Sequence, residues 1–465
     1  MKRKRILAGL VTAALVMTSL LGCGATDETK GDAVDVAESN DNVTENEEVQ
    51  AEDSSSGGAK YEGVEVTWSV NAIGDAQKEQ FDEWAEGLKA EVKDQTGITL
   101  NIEMVAWGDY LNKHLASIAS GTGPDIIQMG SCSYPVVMDA DGLVPLDDKM
   151  DMFGGEDAFY PSAMFYGKYN DHIYALPWGG GARNYYYRKD IFEKYGLEEP
   201  GIDWTWEDLN RDVEILTEKM GSPAFLPCGT THDASYVFWF TLEAEDGKIL
   251  SDDYSKTEFN NDAGLKAIRH FADLYEKGCI PATFVEYGID DCQAAFVNGE
   301  IALTIGSDSW MPALEQAGIN DVYGVVPPPK GENGTFTNLV IPSCLGVTSY
   351  SKNQDAALEV LSIIMSKDNV SEYNRLIGWM PFKNECLEDD PYFTEDEHRS
   401  MFVYSVENGH TFFPQHAQVS AMRDATTKML QTIYTELVTS GSISDDYIRE
   451  QMDVCATEVN AMLND

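Results

Sequence analysis

An α/β fold in two lobes is predicted by three observations: strand-like and helix-like stretches alternate from Val64 onward, a segment of about 400 residues holding all of the aromatics begins at Tyr61, and no repeat of fixed period appears. A body of that length exceeds what one hydrophobic core usually organises, so two lobes are expected.

The elements follow in order. Val64 to Val70 alternates apolar and polar side chains, which predicts a half-buried strand. Gln80 to Gln95 spaces Phe81, Trp84, Ala85, Leu88 and Val92 by three and four residues, predicting an amphipathic helix that Gly97 ends. Leu100 to Val105 reads as a second alternating strand. Tyr110 to Ser120 reads as a second helix, preceded by Trp107 and with Asp109 as its N-cap. Asp125 to Met129 completes a βαβαβ order as a short buried strand. Further helices are expected at Glu207 to Met220, Ala263 to Lys277, Asp355 to Ser366 and Arg423 to Val438, with strands at Ile301 to Ile305 and Val322 to Val326.

The amino-terminal segment carries an address. Lys2 to Arg5 are basic, Ile6 to Leu21 form an apolar run shorter than the roughly 20 residues of a bilayer span, and Gly22 is small enough for a signal peptidase. Leu20-Leu21-Gly22-Cys23 resembles the lipobox of bacterial lipoproteins, which makes 1–22 a signal peptide and Cys23 a lipidated residue. Gly24 to Lys60 has no aromatic residue and is rich in Asp, Glu, Asn, Ser and Gly, so it cannot build a core. As a flexible coil such a tether spans roughly 30 to 35 Å.

The formal net charge of -47 argues against nucleic acid, whose phosphates need Lys and Arg. Its simplest use is solubility, and it names no partner. Seven cysteines remain after Cys23, an odd number with no Cys-x-x-Cys pair and no His placed to complete a zinc site. No metal and no cofactor are expected, and buried thiols are favoured over bridges.

Several strings together resemble the family-1 extracellular solute-binding proteins over nearly all of Tyr61 to Leu463. They are Ala119 to Ile127, Asn170 to Trp178 with Tyr186 to Phe192 and Thr205 to Leu209, then Ala295 to Gly306 and Pro327 to Gly331. The resemblance, which extends to the maltose-binding type, implies a periplasmic-binding-protein-like fold of type II with lobes joined by hinge crossings. It implies one lobe from 61–180 plus 343–385 and a second from 181–342 plus 386–465. It further implies a lipid-anchored receptor at the extracytoplasmic face of a bacterial membrane. Such a receptor acts as a monomer, capturing carbohydrate in the cleft and delivering it to the permease of an ABC importer.

Sugar recognition needs flat apolar faces for ring C–H surfaces and planar polar groups for hydroxyls. A micromolar ligand needs about 8 kcal/mol in all, which two or three stacking residues and several hydrogen bonds supply. By resemblance, Trp310 after Gly306-Ser307-Asp308-Ser309 is the first stacking candidate, followed by Tyr236 and Trp239, then Trp379 in Gly378-Trp379-Met380-Pro381, with Arg423 from the final segment. Trp178 stands at the crossing beside Gly179-Gly180-Gly181, where the family carries polar side chains. Arg183 and Asn184 are expected to replace them, and arginine in the cleft is compatible with an acidic sugar. Asn71 and Met129, Gly130 and Ser131 lie at the carboxyl ends of strands, where open α/β sheets bind ligands. Asp125 reads as part of the beginning of its strand.

The alternatives are a surface glycosidase, which needs two carboxylates across a sugar cleft, and a carbohydrate-binding adhesin without lobe closure. Among 79 Asp and Glu, chance pairs are unavoidable, and no nucleophile elbow, zinc helix or phosphate loop is present.

Overall fold

The computed structural model describes residues 60–74, 77–227, 232–334, 336–388, 390–408 and 413–464. The signal segment, Cys23, the acidic tether up to residue 59 and Cys228 lie outside the described residues.

The strands in chain order are β1 Glu65–Asn71, β2 Thr99–Val105, β3 Ile126–Gly130, β4 Lys168–Tyr169, β5 His172–Ile173 and β6 Leu176–Gly181. The later strands are β7 Arg183–Arg188, β8 Phe225–Leu226, β9 Leu303–Ser307, β10 Tyr323–Val326, β11 Ile341–Val347 and β12 Met380–Pro381. Six form one sheet in the order β12-β6-β11-β3-β1-β2, four form a second in the order β10-β7-β9-β8, and β4 pairs with β5 as a small ribbon. In the larger sheet β1 runs parallel to β2 and β3, while β11 runs antiparallel between β3 and β6.

The chain passes between the sheets more than once. Gly181 ends β6 in the larger sheet and Arg183 begins β7 in the smaller, with only Ala182 between them. It returns between Val326 and Ile341, and leaves again after Pro381, since His398 stacks on Tyr323 and Phe402 packs at a tilt against Tyr186 of the smaller sheet. This is the expected two-lobed α/β architecture.

The sequence pattern explains the local structure. Helix Lys78–Thr96 buries Phe81, Trp84, Ala85, Leu88 and Val92, the face that the spacing predicts, and ends where Gly97 takes φ 81°. A left-handed residue there is nearly free of strain only for glycine. Each such large side chain contributes about 1.5–3 kcal/mol on burial. Helix Tyr110–Ser120 matches its expected span, although the Asp109 carboxylate makes no capping hydrogen bond. Helix Trp206–Met220 begins at a reciprocal cap, in which Asp208 N–H donates to Thr205 Oγ1 (3.2 Å) and Thr205 N–H to Asp208 Oδ2 (3.0 Å).

One core packs β1, β6 and β11 against helices Lys78–Thr96, Gln354–Ile364 and Lys367–Ile377. The other lies beneath the smaller sheet and continues across the interlobe region through Met129, Cys132 and Tyr134. The six described cysteines, 132, 279, 292, 344, 386 and 455, are all buried.

Candidate ligand-binding site

The parallel strands β1, β2 and β3 bring their carboxyl ends together, and the residues that follow them form one wall of the site. Trp107, just past β2, donates its indole N–H to the carbonyl of Ala72, just past β1, at 2.9 Å. Its ring lies over Gly130 at the end of β3, where a Cβ would come within 2.6 Å of a ring carbon. Tyr110 and Trp379 meet that ring edge-on, with centroids 5.8 and 6.0 Å away. Trp107 is thus clamped from three sides, yet it stays 41% exposed. Trp379 is half-buried, with Tyr373 behind it at 6.4 Å.

Polar groups line the same edge. The Tyr110 hydroxyl donates to the Gly130 carbonyl at 2.7 Å, and burial pushes that phenol up to about 12, so it remains a neutral donor. Asn71 donates its backbone N–H to Gln128 Oε1 at 2.9 Å, while both polar atoms of its buried side-chain amide have no hydrogen-bond partner. Leaving such a group unpaired costs about 1–3 kcal/mol, which makes Asn71 a standing donor and acceptor at the strand end. Met129 points into the core. Backbone at Gly130 to Ser133 meets the carboxy-terminal part of the chain, because Ser420 Oγ donates to the Cys132 carbonyl at 3.0 Å. Burial pushes the Cys132 thiol up to about 12 despite the Arg423 charge nearby, which sets that arginine beside the same strand end. Arg423 gives its Nε and Nη2 to Asp424 Oδ1 at 3.1 and 2.8 Å.

The lobe built on the four-stranded sheet supplies the facing wall. Trp310 ends a short turn begun by Ser307, whose hydroxyl accepts the Ser309 N–H. It packs over Gly306 and against Tyr186 at 5.2 Å, leaving only 4% of its surface exposed. Arg183, the first residue of β7, directs Nε and Nη2 at Asp233 Oδ1, 3.0 and 2.6 Å away. Asn184 is buried in a network within its own lobe, donating to the Met401 carbonyl and accepting from Asn338 Nδ2 and Ser405 Oγ.

Other sequence-predicted residues sit deeper. Tyr236 and Trp239 are fully buried against Phe413, at 5.2 and 5.6 Å. Trp178 lies inside the lobe of the six-stranded sheet, 4.9 Å from Trp68 and 4.1 Å from Tyr373. The glycines after it make room for side chains: a Cβ at Gly179 would collide with the Asn374 amide and one at Gly181 with the Asp308 carboxylate. Asp125 holds its strand in place, accepting from Thr67 N–H at 2.9 Å and Ser351 Oγ at 2.6 Å.

The structure therefore gathers Asn71, Gly130, Trp379, Trp310, Arg183 and Arg423 around the interlobe region, and turns Trp178, Asn184, Tyr236, Trp239 and Met129 inward. It adds two residues that the sequence reading did not select, Trp107 and Asp308. The rule that selected Asn71 and Gly130, proximity to a strand's carboxyl end, applies equally to Trp107, two residues past β2. A groove of about 800 Å³ runs elsewhere, between helices Lys78–Thr96 and Lys367–Ile377, lined by Glu83, Trp84, Glu372 and Gln316 and by none of the predicted site residues. Among the described residues no cluster of three His, Cys, Asp or Glu could hold a metal ion, and no helix is long and apolar enough to cross a membrane.

Two α/β lobes joined by crossings, with an aromatic and amide edge at the carboxyl ends of parallel strands, define a ligand-binding protein of the periplasmic type. Residues 87–401 match the bacterial extracellular solute-binding protein family, and the chain belongs to it. A putative binding protein of Brucella abortus strain 2308 is 25% identical over 359 residues, covering 76% of this chain and 84% of that one. The sn-glycerol-3-phosphate-binding periplasmic protein UgpB of Pectobacterium atrosepticum is 24% identical, over 60% of this chain and 66% of its own. Among solved structures, an ABC transporter solute-binding protein from Thermotoga lettingae TMO, bound with α-D-tagatose, superposes with a TM-score of 0.74. It is 22% identical, over 86% of this chain and 100% of that chain.

Proposed function

We infer that this chain is the substrate-binding component of an ABC importer. In this reading it captures a sugar or oligosaccharide between its lobes and delivers it to a membrane permease. A lipid on Cys23 holds it at the extracytoplasmic face of a bacterial membrane, and Gly24 to Lys60 serves as its tether. The lobes divide at 61–180 plus 343–385 and 181–342 plus 386–465.

The observation that carries this reading is the exposed Trp107 indole, fixed by its N–H to Ala72 and its ring to Gly130, beside Trp379. A rigid, solvent-facing aromatic face suits the C–H surface of a sugar ring, and ring contacts of this kind contribute roughly 0.5–1.5 kcal/mol beyond burial. The unpaired Asn71 amide, the Gly130–Ser131 backbone, Arg183 and Arg423 supply hydrogen bonds to hydroxyls. Trp310, packed on Tyr186, backs the wall that the four-stranded lobe presents. The tagatose-bound structural neighbour adds support for a sugar.

Thermal unfolding against a panel of mono- and oligosaccharides, sn-glycerol 3-phosphate, peptides and polyamines tests it. A cognate sugar at 100 times its Kd adds roughly 2.7 kcal/mol to stability. Shifts from glycerol phosphate, peptides or polyamines with none from any sugar would sink the carbohydrate assignment. Conversion of an oligosaccharide to smaller sugars would replace it with a glycosidase.

A further inference from the structure

We propose that Asp308 is a positioning residue for the interlobe site: its carboxylate fastens the Trp379–Met380 edge of the six-stranded lobe to the Trp310 turn of the four-stranded lobe, and its charge state sets how tightly the lobes hold a ligand. The proposal rests on the cleft reading above.

The geometry is that of a clasp. Asp308 Oδ2 accepts the Met380 N–H from β12 of the other lobe at 3.2 Å. Its Oδ1 accepts Ser307 Oγ at 2.8 Å and Ser309 N–H at 3.1 Å within its own turn. The carboxylate fills the place a side chain would take at Gly181, one residue before the Ala182 crossing. Immediately beside it Gly378 packs so closely on Pro312 that a Cβ there would come within 2.6 Å of the proline ring. Glycines at 181 and 378 thus allow the two lobes to meet around one carboxylate, which is only 1% exposed. The same residue lies two positions before Trp310 and bonds the residue after Trp379, so it touches both walls of the site.

A carboxylate deprived of water at an interlobe contact couples that contact to protonation. Burial pushes Asp308 up to about 7, against the opposing pull of Ser307, the Arg183 charge and the Ser309 and Met380 N–H groups. Of the other titratable groups on the elements around it, the Tyr186 phenol of β7 is itself driven up by burial. Glu315 of helix Met311–Gln316 is paired with Arg399, and Lys383 beyond β12 donates to the Met365 carbonyl. Arg183 is therefore the cation that acts on Asp308, and it also serves Asp233.

Opening the contact at Met380 rehydrates the carboxylate and returns it toward its ordinary acidic range. Closure then takes up a proton near neutrality, so the closed arrangement is favoured as pH falls and weakened as pH rises through about 7. Between pH 6 and 8.5 this linkage amounts to about a ten-fold change in the closure equilibrium.

The full chain and Asp308→Asn are compared across pH 6 to 8.5 by two readouts. Ligand-free X-ray scattering should show the wild-type radius of gyration rising with pH and the variant's staying constant. Calorimetric titration with the sugar that gives the largest thermal shift should show wild-type affinity weakening about ten-fold and the variant's changing less than two-fold. If no sugar binds, the carbohydrate reading fails while the scattering arm still decides the role of Asp308. Should Asp308→Asn not fold, Gly181→Ala displaces the carboxylate from the other side and should expand the ligand-free protein at every pH. A wild-type profile flat across the range, or one that the variant reproduces, overturns the proposal.

Discussion

Trp107 and Trp310 separate two properties that the sequence alone runs together, being aromatic near a strand end and being available to a ligand. Trp310 follows its strand in the family's manner, yet it is packed over Gly306 and against Tyr186 with 4% exposure. Trp107 keeps a free face because Gly130 beneath it has no side chain and its N–H is already satisfied by Ala72. Trp107→Ala should weaken sugar binding by about 1–3 kcal/mol, roughly five- to 150-fold, with the unfolding temperature nearly unchanged. Trp310→Ala should instead lower stability by about 3–5 kcal/mol in denaturant unfolding, because it opens a cavity beside Tyr186. Equal loss of affinity and equal stability in both variants would show that burial does not separate their roles. Sequence reasoning missed Trp107 because Asp109 drew the segment toward a helix start, although its carboxylate caps nothing. It reached Asn71 from the alternation of β1 and Gly130 from the short buried run before it, since each pattern marks where its strand ends.

Elements were legible wherever one face repeats. The apolar stripe of helix Lys78–Thr96 and the alternation of β1 and β2 follow from local spacing, and the structure places them within two residues of their expected limits. Helix Lys367–Ile377 escaped notice because its buried face includes Asn369 and Asn374, which look like solvent-facing positions. Asn374 is buried because its Nδ2 donates to the Trp178 carbonyl at 3.2 Å and to the Val370 carbonyl at 2.8 Å, a tertiary arrangement no periodicity encodes. Helix His232–Ala244 carries a different conflict, a largely buried carboxyl at Glu243 in its last turn, where the helix dipole disfavours negative charge. Burial pushes that carboxyl up to about 8, so the folded state holds its proton more tightly than the unfolded chain does. Its stability is therefore fully present below the ordinary carboxyl range and is lost as pH rises toward 8, by about 1.4 kcal/mol for each pH unit crossed. Glu243→Gln should raise stability at pH 8 and leave it nearly unchanged at pH 4, measured by urea unfolding at both. A gain equal at the two pH values would point to packing instead of charge.

At the scale of the molecule, two sheets with separate helical layers and closely spaced crossings favour motion of one lobe against the other, since a single residue, Ala182, carries the chain from β6 to β7. A ligand that touches both walls shifts the population toward the closed form, so a bound sugar should reduce the radius of gyration in solution scattering; binding without compaction would favour the adhesin alternative. A lipid on Cys23, as proposed, would add nothing to that equilibrium. The proposed anchor at Cys23 stands well before Tyr61, where the aromatic-bearing body begins, so retention at the membrane is expected to be separable from recognition of the ligand. Diacyl chains contribute about 0.8 kcal/mol per buried CH₂, enough for one doubly acylated residue to hold the protein without a spanning helix. Cys23→Ser should therefore abolish incorporation of labelled palmitate and move the protein from the membrane fraction to the soluble one, while the sugar affinity of the purified chain stays within two-fold. Retention of the variant at the membrane would mean that another segment anchors it, and a large loss of affinity would mean that the amino-terminal segment contributes to the cleft.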